Sequence, residues 1–126
     1  MAQVRSDGGS LAERLRRAYR DKSLNQLAPL LADDVRWGDD DHPRRCRSRA
    51  DVLATFSRVM AEGVGGRITE LAMGSEGVLC GLAVRWPDDD DRPDRSLFHV
   101  YVVRDGLISE IRPYDDRAPA AEAAGL

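Results

Sequence analysis

The sequence contains little cysteine, few aromatic residues and no long apolar run. Its two cysteines, Cys46 and Cys80, are too few for a disulfide framework or for a zinc site built from cysteines. No run reaches the roughly 20 apolar residues that a membrane span needs, and residues 1–10 lack the apolar centre of a signal peptide. The pI near 5.4 disfavours a nucleic-acid-binding protein. We therefore expect a cytoplasmic protein that binds neither nucleic acid nor membranes.

The composition indicates one folded domain. The chain has 126 residues, of which 42% are hydrophobic and 33% are charged, and its net charge is −3. Leucine, isoleucine, valine and phenylalanine recur in periodic runs, which argues against disorder. A chain of this length, without an internal repeat, is expected to form a single domain over residues 1–126.

Capping residues and apolar periodicity predict three helices in the first half of the chain. Ser10, Ser23 and Ser48 are the expected N-cap residues of the first, second and third helix. Pro29 has no N–H, so the second helix must be kinked or very short. The third helix is expected to end at Gly63, because the glycines that follow cannot continue it.

After the third helix the apolar period changes from 3.6 to 2, which predicts strands. The predicted strands are residues 34–39, 67–73, 78–86, 96–103 and 107–114. A short Ala-rich helix is expected over residues 119–126. Asp105-Gly106 is a strong hairpin signal between the last two strands. Helices followed by a run of strands indicate an α+β fold with helices on one face of an antiparallel sheet. Because several strands are apolar on both faces, we expect a homodimer through the outer sheet face.

Three short fragments, in this order, are similar to a known superfamily. They are LADDVRW at residues 31–37, RDGLI at residues 104–108 and IRPY at residues 111–114, with the third helix between the first two. Together with the order of elements they resemble the nuclear transport factor 2-like superfamily, and in particular its SnoaL-like proteins. The resemblance covers residues 11–116.

The resemblance implies a cone-shaped curved antiparallel sheet wrapped around three N-terminal helices, with an apolar cavity that takes a small molecule. Ketosteroid isomerase, scytalone dehydratase, limonene-epoxide hydrolase and the SnoaL-type polyketide cyclases are relatives of this kind. Each places different acids and bases on the same walls, so the fold does not give the reaction.

Asp39 is the first candidate catalytic residue. In the predicted strand it shares a face with Val35 and Trp37, and apolar surroundings would raise its pKa toward that of a useful general base. The resemblance also places it where the isomerase-like enzymes keep their proton-abstracting aspartate. The alternative is a solvated carboxylate in a loop with Asp40 and Asp41.

His99 is the second candidate. It alternates with Leu97 and Tyr101, and a histidine there is expected to titrate near neutral pH and to pass a proton in either direction. The isomerase-like families keep an acidic hydrogen-bond donor near this place, so a histidine departs from their pattern. Because Phe98 and Val100 form an equally apolar face, His99 could instead be a core residue or face the dimer.

Other residues are candidates for the cavity wall or its rim. These expected substrate-binding residues are Tyr19, Trp37, Phe56, Met60, Trp86, Tyr101 and Tyr114. The tyrosine of the isomerase-like families falls at Leu15, so that donor is missing or moved. His42 lies near aspartates in a polar loop, but consecutive loop side chains rarely converge, and no metal is expected. No dinucleotide or phosphate-binding motif is present, so no cofactor is expected.

Two hypotheses follow for the function. The first is cofactor-free proton-transfer chemistry on a small apolar carbonyl compound, by an isomerase, dehydratase or cyclase, with Asp39 as the base and His99 as the proton shuttle or donor to an enolate. The second is a non-catalytic ligand-binding or dimerisation module of the same fold.

Overall fold

The computed structural model describes residues 7–38, 46–87, 91 and 94–126, with side chains from residue 11 onward. In these residues the helices and strands are α1 (Asp7–Asp21), α2 (Leu24–Leu27), a 3-10 turn (Ala28–Leu30), β1 (Leu31–Trp37), α3 (Arg49–Ala61), β2 (Gly65–Met73), β3 (Val78–Arg85), β4 (Arg95–Arg104), β5 (Leu107–Tyr114) and α4 (Arg117–Ala124). The first helix begins before Ser10, so the prediction of Ser10 as its N-cap is wrong. Beginning at Leu31, β1 also starts earlier than predicted.

The other two predicted caps are confirmed. The Ser23 hydroxyl accepts a hydrogen bond from the backbone N–H of Gln26 at 3.1 Å, and the Ser48 hydroxyl accepts one from the backbone N–H of Asp51 at 3.1 Å. α2 has only four residues, and the chain continues as the 3-10 turn that contains Pro29. Because Pro29 has no N–H to donate to the preceding turn, the α-helix ends before it, as the sequence predicted.

The sheet is curved around the N-terminal helices in the expected cone, but it is not wholly antiparallel. Its strand order is β1-β5-β4-β3-β2, and β1 pairs parallel with β5 while the other neighbours are antiparallel. The prediction of an antiparallel sheet is therefore corrected to a mixed one. The β4–β5 hairpin turns at Asp105 and Gly106, whose φ angles of 55° and 80° fit the tight hairpin predicted there.

The main core lies between the helices and the inner face of the sheet. Leu15 of α1 and Val52 of α3 are buried against inner-face residues of the strands, among them Val78 and Ile111. Since both helices approach this one face, they and the sheet form the walls of any interior cavity. In the part of the chain that the structure covers, no helix is long and apolar enough to cross a membrane.

The outer face of the sheet is covered in part by α4. Ala120 and Ala124 of this helix form a second buried cluster with Leu79 and Val100. Arg117, at the start of α4, donates to the carboxylate of Glu70 at 3.0 and 2.7 Å. The apolar outer face that motivated the homodimer is thus partly buried by the chain itself, and the homodimer stays a prediction.

Candidate active site in an apolar cavity

A cavity of about 310 Å³ lies between the helices and the inner face of the sheet. Its walls come from α1, α2, β1, α3, β2, β3 and β4, so nearly every inner element contributes. The lining residues are Ala18, Tyr19, Lys22, Ser23, Leu24, Leu27, Trp37, Phe56, Val59, Met60, Glu62, Val64, Gly65, Gly66, Leu82, Val84, Trp86, Leu97 and His99. Most of them are apolar, as expected of a site for a small organic molecule.

Aromatic side chains form one wall. Trp37 stacks on Phe56 with ring centroids 5.1 Å apart and planes 25° apart, and Tyr19 meets Phe56 edge to face at 5.9 Å. Trp37 also meets the ring of His99 edge to face at 5.6 Å. These contacts hold the imidazole against an aromatic surface and limit its rotation.

The register of β4 decides which way His99 points. His99 pairs with Cys80 of β3, and Leu97, which lies two residues earlier on the same face of β4, pairs with Leu82. Leu82 and Leu97 line the cavity with His99, whereas Val100 belongs to the cluster under α4. His99 therefore faces the inside of the cone, and the ambiguity that the sequence left is resolved.

Burial determines the charge of His99. The residue is 6% exposed, and desolvation lowers the pKa of its imidazole from the usual 6.5 to about 4. At pH 7 the ring is therefore neutral, with one N–H and one bare nitrogen. The expectation that His99 titrates near neutral pH is wrong, because it did not account for near-complete burial.

Behind His99 lies a hydrogen-bonded chain of hydroxyl groups that the sequence did not predict. The Tyr101 hydroxyl is 3.4 Å from Nδ1 of His99 and 2.9 Å from the hydroxyl of Tyr19. Burial raises the pKa of both tyrosines, and it raises the pKa of the neighbouring Cys80 thiol to about 12. All these groups are therefore uncharged at neutral pH, and the hydrogen bonds among them are neutral ones.

The structure places most predicted wall residues on the cavity. Tyr19, Trp37, Phe56, Met60 and Trp86 line it.

Two predicted rim residues lie elsewhere. Tyr101 is 1% exposed and packs behind His99, and Tyr114 packs against the outer cluster under α4. Their assignment to the rim is therefore corrected, since the inner core buries Tyr101 and the pleat of β5 turns Tyr114 outward. Asp39 and His42 lie outside the described residues.

Charged residues that sequence reasoning missed lie at the opening of the cavity. Lys22 and Glu62 are exposed and also line it. Lys22 has a φ of 51° and ends the turn after α1, and Glu62 follows α3. Gly65 and Gly66 line the same opening, and a Cβ at either would meet nothing within 4 Å. Turn residues carry no periodic signal, so only the sign of their charge could have drawn attention to them.

Among the residues that the structure describes, no three His, Cys, Asp or Glu side chains lie close enough together to hold a metal ion. What the described cavity offers is a largely apolar volume, a neutral imidazole inside it, and one cation and one carboxylate at its opening. This arrangement can hold an uncharged organic molecule and form a hydrogen bond to one polar atom of it.

Comparisons with known proteins agree with this geometry. Residues 12–111 match the family model described as a SnoaL-like domain, and a comparison with curated protein sequences gives no significant match.

Among solved structures, the chain is similar to a proposed ketosteroid isomerase from Kribbella flavida DSM 17836, with a TM-score of 0.72 and 20% identity over 89% of this chain and 79% of that one. An NTF2-like protein of unknown function from Burkholderia pseudomallei gives a TM-score of 0.70 and 19% identity over 97% and 100%. A Mycobacterium tuberculosis epoxide hydrolase of the LEH-like type gives 0.67 and 20% over 87% and 83%. At these identities the structures establish the fold alone. The family match covers most of the chain, and the chain therefore belongs to the SnoaL-like family of the nuclear transport factor 2-like superfamily.

Proposed function

We propose that this protein binds a small, mainly apolar molecule in the cavity and that His99 forms a hydrogen bond to the polar group of that molecule. The observation that carries the proposal is an apolar cavity with a neutral imidazole on its inner wall. A buried polar group in an apolar pocket fixes the orientation of a ligand, because leaving it unpaired costs free energy.

The cavity volume limits the size of the ligand. About 310 Å³ is near the lower end of the roughly 300–1,000 Å³ found for ligand pockets. It corresponds to roughly ten water molecules at about 30 Å³ each. We therefore propose a ligand with one or two rings, such as an aromatic ketone.

In the catalytic form of this proposal, the protein performs proton-transfer chemistry without a cofactor. Asp39 is the base that removes a proton next to a carbonyl group, and neutral His99 donates a hydrogen bond to the developing enolate oxygen. A neutral imidazole suits this role because its N–H can donate a hydrogen bond to the oxyanion while the proton stays on the ring. Support comes from the names of the similar structures, among them the proposed ketosteroid isomerase and the epoxide hydrolase.

A second candidate function is ligand binding without catalysis. Glu62, at the opening, is the one carboxylate among the described lining residues, so no described residue inside the cavity is an anionic base. Catalysis therefore requires Asp39 to reach the ligand, and without it the same cavity would only bind.

The test compares binding with proton exchange for one probe, 1-indanone. Thermal unfolding measures binding, and NMR in D₂O measures exchange of the protons next to the carbonyl group. We expect the probe to stabilise the wild type, and we expect His99→Phe, which keeps a flat ring but has no donor, to raise the Kd of the probe about tenfold, the value of one hydrogen bond. Asp39→Asn should retain binding but abolish exchange, whereas Asp34→Asn, at an exposed position of β1, should change neither.

Two outcomes would count against parts of the proposal. If the probe binds but the wild type exchanges its protons no faster than buffer, the binding-only function is correct and catalysis of this kind is excluded. If neither 1-indanone nor comparable one- and two-ring ketones stabilise the protein, the proposed ligand class is wrong.

A further inference from the structure

Two hydroxyl groups next to His99, that of the half-buried, cavity-lining Tyr19 and that of the buried Tyr101, have no part in the function proposed so far. Tyr101 does not line the cavity, yet its hydroxyl lies between the hydroxyl of Tyr19 at 2.9 Å and Nδ1 of His99 at 3.4 Å. The other imidazole nitrogen, Nε2, has no hydrogen-bond partner among the described residues, and His99 lines the cavity. The state of Nδ1 therefore determines what Nε2 presents to a ligand.

The protons of this chain can point in two directions. In the first, Tyr19 donates to Tyr101 and Tyr101 donates to Nδ1, which leaves the imidazole proton on Nε2. In the second, Nδ1–H donates to Tyr101 and Tyr101 donates to Tyr19, which leaves Nε2 bare. A neutral imidazole carries only one N–H, so the two directions correspond to its two tautomers.

The surroundings favour the first direction. In it, both hydroxyl protons are used in hydrogen bonds. In the second, the proton of the Tyr19 hydroxyl has no acceptor among the described residues, and an unpaired donor on a desolvated, largely apolar wall is costly. The Cys80 thiol also lies within hydrogen-bond reach of the Tyr101 hydroxyl. Its own proton can point to the carbonyl of Gly81, with sulfur and oxygen 4.0 Å apart, and its sulfur is a weak acceptor that competes poorly with Nδ1 for the Tyr101 proton.

We propose that Tyr101, aligned by Tyr19, holds His99 in the tautomer with the proton on Nε2, so that the cavity selects ligands with an acceptor oxygen, such as a ketone, quinone or epoxide, over ligands that only donate. This inference rests on the proposed function, since it names the chemical class that the same cavity takes. Tyr101 is a positioning residue: it acts through His99 and does not contact the ligand.

The first experiment reads the tautomer directly and needs no ligand. Two-bond ¹H–¹⁵N correlation spectra of the ¹⁵N-histidine protein at pH 7 distinguish the two tautomers, and His42→Gln identifies the signals of His99, since the chain has two histidines. We expect the Nε2–H tautomer in the wild type and a mixture in Tyr101→Phe. Tyr114→Phe removes a hydroxyl from the outer face and should leave the tautomer unchanged. The Nδ1–H tautomer in the wild type, or an unchanged tautomer in Tyr101→Phe, would overturn the inference.

The second experiment reads selectivity with two probes of similar size. 1-Indanone only accepts a hydrogen bond at its oxygen, and indole only donates through its N–H. We expect the wild type to bind 1-indanone about tenfold more tightly than indole, which corresponds to one hydrogen bond. Tyr101→Phe should reduce this ratio and Tyr114→Phe should preserve it. Equal affinities, or tighter binding of indole, would contradict the inference.

The two experiments separate this inference from the proposed function. If neither probe binds, the proposed ligand class fails, while the NMR result still decides the tautomer. If both probes bind but His99 carries its proton on Nδ1, the cavity function stands and the role of Tyr101 is wrong.

Discussion

Lowering the pH should destabilise the protein through His99. In the folded state its pKa is about 4, against the usual 6.5 expected in the unfolded chain. Between these values the unfolded state binds a proton that the folded state does not. The free energy of unfolding should therefore fall as the pH decreases from about 6.5 toward about 4 and should lose nothing further from this group below that.

The size of the effect follows from the shift of the pKa. At about 1.4 kcal/mol per unit, the difference between 6.5 and about 4 corresponds to about 3 kcal/mol. This is a large part of the roughly 5–15 kcal/mol of stability that is typical of such domains.

Among the described residues, the other groups with shifted pKa values act mostly outside this window. Tyr19, Tyr101 and Cys80, which surround the ring, have pKa values raised by burial and stay neutral. Hydrogen bonds from Arg117 to Glu70 and from Arg20 to Asp21 lower the pKa of each carboxyl. Their stabilisation is present above their unfolded pKa values and is lost at lower pH, mostly beneath the range in which His99 acts.

The assay is urea unfolding at several pH values between 7 and 4, for the wild type, His99→Gln and His42→Gln. The wild type and His42→Gln should lose about the same stability over this range, while His99→Gln should lose about 3 kcal/mol less. If His99→Gln has the same pH dependence as the wild type, the burial argument for a neutral His99 is wrong.

Three further predictions concern the scaffold. Leu79→Ala, at a fully buried position under α4, should lower the free energy of unfolding by about 2–5 kcal/mol in urea unfolding, and a loss well under 1 kcal/mol would show that α4 does not cover this face. Ser48→Ala should cost about 1 kcal/mol by the same method, because it removes the cap of α3; an unchanged midpoint would contradict that. Sedimentation at micromolar concentration should show the predicted homodimer through the outer sheet face, and a monomer would refute it.

The features that the sequence predicted correctly are local ones. The caps at Ser23 and Ser48 need only the hydrogen bond to a backbone N–H three residues on, and the Asp105-Gly106 turn needs only two residues with positive φ. The parallel pairing of β1 with β5 was not predicted. It joins segments far apart in the chain, and nothing in the alternation of either strand indicates the direction of its partner.

The orientation of His99 could not be read from the sequence for a related reason. The strand alternates between His99 and Tyr101 on one side and Phe98 and Val100 on the other, and both sets are apolar enough for a core. The structure explains this equality, since the helices bury the first set and α4 buries Val100. When both faces of a strand are covered, neither alternate set of its side chains is polar, so the sequence does not show which face points in which direction. The Tyr19–Tyr101 hydrogen bond spans 82 residues and has no local signature.

His99 lies on the central strand of the sheet, whereas several other residues that line the cavity lie on helices. β4 is hydrogen-bonded on both sides, to β5 and β3, and both of its faces are covered, so it belongs to the part of the fold that opens least. Part of the cavity wall comes instead from helix side chains, such as Val59 and Met60 on α3 and Leu24 on α2. Substitutions on the helices can therefore change the size of the accepted ligand while the imidazole keeps its place and its tautomer. Ligand size can thus be changed from the helices without altering the strand that carries the polar contact.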